Sequence, residues 1–300
     1  MANYTVDFRA MGCHIQAWLT ADSAGAAQIL GRVPAMFESW EAMFSRFRPE
    51  SELSRLNRSA GDWVEVSAPL FGVITLALLG AEATEGLFNP LVLPALQAAG
   101  YDHSFEPEGF VPGQKKAPVW VADYRDMKLN ASASSVFLPK GAMIDLGGIA
   151  KGWAAQQTAN ILAAFGPCLV DAGGDMAAHG SPDNSGGWLV RVENPFDPMQ
   201  AESILLTDNA IATSGTDYRN RTRDGQKLHH IIDPRTGRPA TSDVYTATVI
   251  APNTVQAELW AKVAVISGQT TDFPTLIYRN DGSSQENGGF QCEIQKLKNQ

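Results

Sequence analysis

The sequence predicts an α+β fold of antiparallel β-sheets with packed helices. Strand-like segments outnumber helical ones and do not alternate with them as βαβ units would. The dinucleotide fingerprint Gly-x-Gly-x-x-Gly of a parallel doubly wound sheet is missing. With 300 residues, 44% of them hydrophobic, the chain can bury one large core or two smaller ones. No linker or internal repeat divides it, so residues 1–300 read as a single domain whose polar last dozen residues are expected to fray.

Taken in order, residues 4–20 alternate as a strand pair, with Ala10-Met11-Gly12 as the turn. Residues 24–47 read as a helix, with Phe37, Trp40, Phe44 and Phe47 as its core stripe. SELSRLN (51–57) is a serine-capped short helix. Ser67 and Pro69 open another, which Gly86 closes. LFNPLVLPALQAAG (87–100) is a proline-bounded loop entering a short helix, and 101–118 is turn-rich. VWVAD, MKLNA and SVFLP carry strand signals, followed by MIDLGGIAKGWAAQQ (143–157), where an apolar run turns into a helix over 150–164. CLVDA, which leads into the glycine cluster GGDMAAHG, and GWLVRVENP, ESILLTDNAIATSG and TATVIAP read as strands. VQAELWAKVAVISG is a helix, and Asp281-Gly282 marks a final hairpin.

Composition narrows the function. A net charge of −9 leaves no basic face for nucleic acid. Cys13, Cys168 and Cys292 show neither metal spacing nor a disulfide framework, and read as thiols in a reducing compartment. MANYTVDFRAMG lacks the basic and apolar regions of a signal peptide, and LFGVITLALLGA (70–81) is too short to span a bilayer. A cytoplasmic protein without membrane insertion is expected.

Four glycine- or histidine-bearing clusters are the candidates for chemistry, each against the plain alternative of a structural turn or a structural histidine. In MIDLGGIAKG, Gly147 and Gly148 precede a helix whose positive end favours an anion. Lys151 lies in the first helical turn, where the dipole disfavours a cation, so an anionic partner is expected: Asp145 or a ligand. The segment is not a P-loop, because Gly152 and Trp153 follow the lysine. DAGGDMAAHG (171–180) sets Asp171 and Asp175 around paired glycines, and AIATSGTDYRNR (210–221) ends a strand with hydroxyl residues. In HHIIDPRTGRP (229–239), either His229 or His230 is a usable proton acceptor beside a rigid turn.

Together these segments resemble one family, the ApbE-type FAD:protein FMN transferases. The likeness runs through AMGC (10–13), FSRFRPESELSRLN (44–57), LFNPLVLPAL (87–96), MIDLGGIAKGWA (143–154), VDAGGDM (170–176), AIATSG (210–215), HIIDPRTGRP (230–239) and AELWAKVAVISG (257–268). The resemblance implies a T-fold-like architecture. It also implies an enzyme that moves the FMN part of FAD onto a threonine or serine hydroxyl of a partner flavoprotein with an FMN-binding domain, releasing AMP. By carry-over, Met11, Phe47 and the loop Leu87-Phe88-Asn89 contact the flavin or adenosine part. Asp145 and Lys151 hold the pyrophosphate end, Thr213, Ser214 and Gly215 line the same groove, and His230 takes the proton. Alternatives are an FAD pyrophosphatase yielding FMN and AMP, and a catalytically silent FAD-binding protein.

The chain departs from the family where magnesium is expected. The usual closing helix offers an aspartate and, four residues on, a threonine, joined by a main-chain oxygen from the segment occupied here by Gly147-Gly148. This chain has Glu258 and Lys262, leaving Gly148 and Glu258 as the residual metal ligands. A protonated lysine has no lone pair for a cation. Either the two form a surface pair worth about 0.2–0.5 kcal/mol, or the Lys262 ammonium takes the ion's place. Asn89 for aspartate, Phe47 for tyrosine and Gln156 for an acid are further departures.

Overall fold

The computed structural model describes residues 1–22, 25–101, 119–183, 186–216, 221–223, 226–287 and 289–290, with backbone alone at 221–223 and 226–228. The expected loop at 102–118, Cys292 and the chain end at 291–300 lie outside the described residues. The chain forms two compact units, Met1–Glu38 with Lys151–Gly215 and Asp243–Gln300, and Ser39–Ala150 with Thr216–Ser242.

The first unit is organised by an eight-stranded sheet. Its strands are β1 (Ala2–Ala10), β2 (Cys13–Ala21), β3 (Cys168–Ala172), β4 (Asp175–His179), β5 (Ala210–Gly215), β6 (Val244–Ala251), β7 (Thr275–Arg279) and β8 (Ser284–Glu286). Every pairing is antiparallel, and the strands lie side by side in chain order. The sheet is thus a meander with long excursions after β2 and β5, and those excursions supply the second unit. Met11 and Gly12, both at positive φ, close the first hairpin in register Ala10 to Cys13, as the primed two-residue turns require.

Alternation along the strands gives the sheet two apolar faces. On one, Leu169, Ala178, Ile211, Ile250, Leu276 and Tyr278 pack with Val190, Val192, Ile204 and Leu206 of the hairpin Trp188–Val192/Glu202–Leu206. On the other, Ala212 and Ala251 meet Ala257 of helix Thr254–Ser267. Three alanines at this contact let the helix axis come close to the sheet. Asn253 caps that helix by accepting from the Gln256 N–H, and Gly268 ends it in the left-handed region.

The second unit holds helices Glu52–Arg58, Ala68–Ala83 and Leu93–Ala98 and a three-stranded sheet of Trp63–Glu65, Ser135–Phe137 and Lys128–Asn130. Ser51 and Ser67 cap the first two helices with their hydroxyls. Leu93, Leu96, Tyr101 and Ile232 form a local core. Among the described residues, no helix is long and apolar enough to cross a membrane.

Three expectations need correction. The helix expected over 24–47 is two, Gly25–Gly31 and Val33–Phe44, divided where Gly31 is followed by Pro34, which can sit only in a first turn. Phe37 and Phe44 are buried, but Phe47 lies beyond the helix end, is 41% exposed and belongs to no core stripe. VWVAD is not a strand: the Ala122 carbonyl accepts a side-chain amide from Asn89, and among the described residues no strand pairs with it.

Gly166, ahead of β3, has φ +154°, and a Cβ there would lie 2.2 Å from the Thr20 carbonyl oxygen. Gly166→Ala is therefore expected to cost about 2–4 kcal/mol in urea unfolding. Gly31→Ala meets nothing within 4 Å and should change stability by no more than about 1 kcal/mol, in the stabilising direction.

Candidate functional site

Each unit assembles one cluster of the predicted residues. In the second unit the cluster is built on the main chain of residues 143–147. Asn57, the last residue of SELSRLN, clamps Ile144 from both sides: its Nδ2 donates to the carbonyl (2.9 Å) and its Oδ1 accepts from the N–H (2.7 Å). The Asp145 N–H donates to the Pro90 carbonyl (2.9 Å). Arg46 Nε donates to Asp145 Oδ1 (2.8 Å), and Asp145 Oδ2 accepts from the Gly147 N–H (3.1 Å). Asp145 thereby ties the RFRPE, LFNPL and DLGG segments together. Gly148 is half-buried in the turn that leads into helix Ala150–Leu162.

The predicted flavin-contact residues of this unit differ in what their side chains can do. Phe47 is exposed, with the Arg46 guanidinium 4.1 Å above its ring. Asn89 is buried: its Nδ2 donates to Ala122 and its Oδ1 accepts from the Leu91 N–H, so the amide shapes its own loop. Phe88 is buried and its N–H donates to Thr84, whereas Leu87 is half-buried.

The two histidines separate cleanly. His229 Nδ1 accepts from the Ile231 N–H (3.3 Å), which leaves the proton on Nε2 to be donated to the Ala240 carbonyl (2.9 Å). Burial lowers its basicity, and the Ala240 bond only partly offsets that. His229 is a neutral structural residue. His230 is half-buried with its ring edge-on to Tyr101 (6.2 Å). The turn after it is locked by Asp233, which receives the Arg235 backbone N–H, Nε and Nη2 at 2.9 Å each. Gly237 completes it, since a Cβ there would lie 2.0 Å from the Val119 carbonyl.

In the first unit the centre is Glu258, on the helix that packs against β5 and β6. Its Oε1 accepts from Lys151 Nζ (2.7 Å) and Lys262 Nζ (3.1 Å), and its Oε2 accepts from the Gly152 N–H (3.1 Å). Lys151 Nζ also donates to Asp175 Oδ2 (2.7 Å), at the start of β4. Thr254 donates its hydroxyl to the Gly152 carbonyl and its N–H to Gln156 Oε1 (3.1 Å). Burial disfavours the charged forms of Lys151, Asp175 and Glu258. Against that, Asp175 and Glu258 hold the Lys151 ammonium above its usual range, and Lys151 with Lys262 hold Glu258 below the usual carboxylate range. Burial, reinforced by nearby Glu258, raises Asp175.

Several expectations change. The carboxylate partners of Lys151 are Asp175 and Glu258, while Asp145 is paired with Arg46. The Glu258–Lys262 pair is not a surface pair, because the glutamate side chain is 1% exposed and the lysine 16%. Met11 is half-buried in its hairpin turn. Thr213 is exposed and shares a hydroxyl bond with Thr248 (2.9 Å), Ser214 is buried, and Gly215 ends β5. The sequence pointed to no specific role for Arg46, Asn57 or Asp175, although all three stand inside recognised segments.

Fit to magnesium is poor. Among the described residues no group of three or more His, Cys, Asp or Glu side chains could hold a metal ion. Glu258, the expected carboxylate ligand, already receives two ammonium groups and a main-chain N–H.

The ApbE family model matches residues 11–282. The FAD:protein FMN transferase of Treponema pallidum is 30% identical over 277 residues, 85% of this chain and 76% of its own length. That of Salmonella typhimurium is 28% identical over 258 residues, 82% and 73% of the two chains. The crystal structure of the ApbE protein of Thermotoga maritima superposes with a TM-score of 0.88 at 25% identity, covering 98% of this chain and 99% of that one. The flavin transferase ApbE of Vibrio cholerae shares the fold, at a TM-score of 0.80 and 24% identity over 97% of this chain and 99% of that one.

The neutral, buried His229 makes stability depend on pH. Its folded-state affinity for a proton lies below that of the unfolded chain, so its contribution is complete above the unfolded value of about 6.5 and declines as pH falls below it. Urea midpoints of wild type should therefore drop from pH 7.5 to pH 5.5 by more than those of His229→Gln.

Proposed function

The chain belongs to the ApbE family, and from that premise we propose that it is an FAD:protein FMN transferase. It moves the FMN part of FAD onto a threonine or serine hydroxyl of a partner flavoprotein that carries an FMN-binding domain, and releases AMP. The observation that carries the reading is the family match from residue 11 to residue 282, which runs through both compact units and every recognised segment. We take residues 1–300 to act as one functional domain. We place the chain in a reducing cytoplasm, which suits the thiols of Cys13 and Cys168.

The acceptor hydroxyl oxygen forms a bond to the flavin-side phosphorus of FAD, the bond from that phosphorus to the bridging oxygen breaks, and AMP leaves. The hydroxyl proton passes to the imidazole of His230. The two ring nitrogens of His229 are committed to Ile231 and Ala240, which favours His230 as the base. The Asp233–Arg235 turn then serves to fix its backbone. Phosphoryl transfer depends on placement and charge more than on covalent help, so rigid turns are what this site needs.

We assign Phe47 to ring stacking on the flavin or adenine, as its exposure supports, and Met11 and Leu87 to the same ligand. Phe88 and Asn89 support the loop from within. Asp145 shapes the main chain beside Gly147, Lys151 contributes positive charge towards the pyrophosphate end, and Thr213, Ser214 and Gly215 line the ligand's path.

Incubation with FAD and an FMN-binding domain should give a flavin-fluorescent acceptor band on a denaturing gel. His230→Ala should lower the labelling rate by about 10²–10⁴-fold while FAD affinity stays unchanged. Soluble FMN without a labelled band would instead show an FAD pyrophosphatase, and intact FAD a silent binder.

A further inference from the structure

The cluster around Glu258 is complete without an ion. Two carboxylates, Asp175 and Glu258, face two ammonium groups, Lys151 and Lys262, at 2.7, 2.7 and 3.1 Å, so the formal charges cancel. Both oxygens of Glu258 accept protein donors. A magnesium ion needs bare oxygen ligands at about 2.0–2.1 Å in octahedral array, and a protonated lysine offers it no lone pair and repels it. A threonine in place of Lys262 would supply an oxygen; the lysine supplies a second fixed cation one helical turn from Glu258.

We propose that the Lys262 ammonium, held by Glu258, stands in for the divalent ion of the family, so that FMN transfer by this chain needs no metal. The inference rests on the transferase reading. Burial distinguishes the arrangement from an ordinary helical ion pair: the carboxylate side chain is 1% exposed, and a pair so enclosed keeps its charges fixed. A tethered charge does not exchange with solvent, and chelators cannot remove it. Lys262 is then the residue that determines metal independence, and Glu258 positions it.

The test measures Mn²⁺ binding by electron paramagnetic resonance, with and without FAD, against a baseline of FAD alone. In parallel, FMN transfer is measured in magnesium and in EDTA. The wild-type chain should bind no Mn²⁺ beyond the baseline and transfer FMN at rates within about twofold in the two buffers. A functional divalent ion would make the loss in EDTA at least about a hundredfold. The double variant Glu258→Asp/Lys262→Thr should gain one Mn²⁺ per chain and become EDTA-sensitive. Stoichiometric Mn²⁺ binding by wild type, or collapse of its transfer in EDTA with recovery in magnesium, overturns the proposal. Absence of transfer in both buffers would count against the transferase reading instead, and the wild-type Mn²⁺ titration would still decide the ion question without relying on the variant's folding.

Discussion

A buried carboxylate is the constraint around which the first unit is arranged. An ionised group removed from water costs several kcal/mol unless other groups replace its hydration. Glu258 obtains three donors, one from its own helix, one from Lys151 and one from the Gly152 main chain. The Gly152 N–H belongs to the first turn of helix Ala150–Leu162, so the positive end of that helix is directed at a protein carboxylate. Gly152 is required for the approach, because a Cβ there would lie 2.9 Å from Glu258 Oε2 and 3.0 Å from the Thr254 carbonyl. The adjacent lysine and glycine of IAKG thus meet the same side chain from two directions.

The second unit solves a different problem with the opposite means. Residues 143–147 have no strand partner among the described residues, yet their backbone polar groups cannot be left unpaired in a buried setting. Asn57, Pro90 and the Asp145 carboxylate fill those valences, and Arg46 neutralises the acid. Segments that look like ligand-contact motifs therefore spend many of their polar side chains on the main chain. Asn89 is the clearest case, since an aspartate there would accept from Leu91 but would have no proton to give Ala122.

Local physics made much of this legible in sequence. The first hairpin, the serine caps at 51 and 67, most strands of the sheet other than Asp175–His179, and the helix ending at Gly268 follow from alternation, capping and turn chemistry. Long-range pairings were not legible. Lys151 meets Asp175 and Glu258 across 24 and 107 positions, and no periodicity links such residues. The Glu258–Lys262 spacing was visible, but its burial was not, because the helix is apolar nearly all round and shows no preferred face. Phe47 failed for the opposite reason: its spacing continued a stripe after the helix itself had stopped at Phe44. By residue type alone His229 and His230 are equivalent; the family resemblance pointed to His230, and the Ile231 and Ala240 partners of His229 supply the physical reason.

The meander explains why the glycine motifs stand where they do. A sheet whose strands follow chain order places no demand on long loops, so insertions after β2 and β5 leave its register intact. The first excursion returns to the sheet unit between Ala150 and Lys151, inside the glycine-lysine motif, and the second departs between Gly215 and Thr216, at the end of AIATSG. At the return, the chain must stop an irregular segment, start a helix and present a charged side chain within a few residues. Gly147 accommodates the Asp145 side chain, whose oxygen lies 3.0 Å from where its Cβ would be, and Gly152 accommodates Glu258. A larger residue at Gly152 would push the helix start away from Glu258. The motif is therefore a packing requirement before it is a ligand signature, and any role it has towards a dinucleotide is built on a helix end already held by the protein.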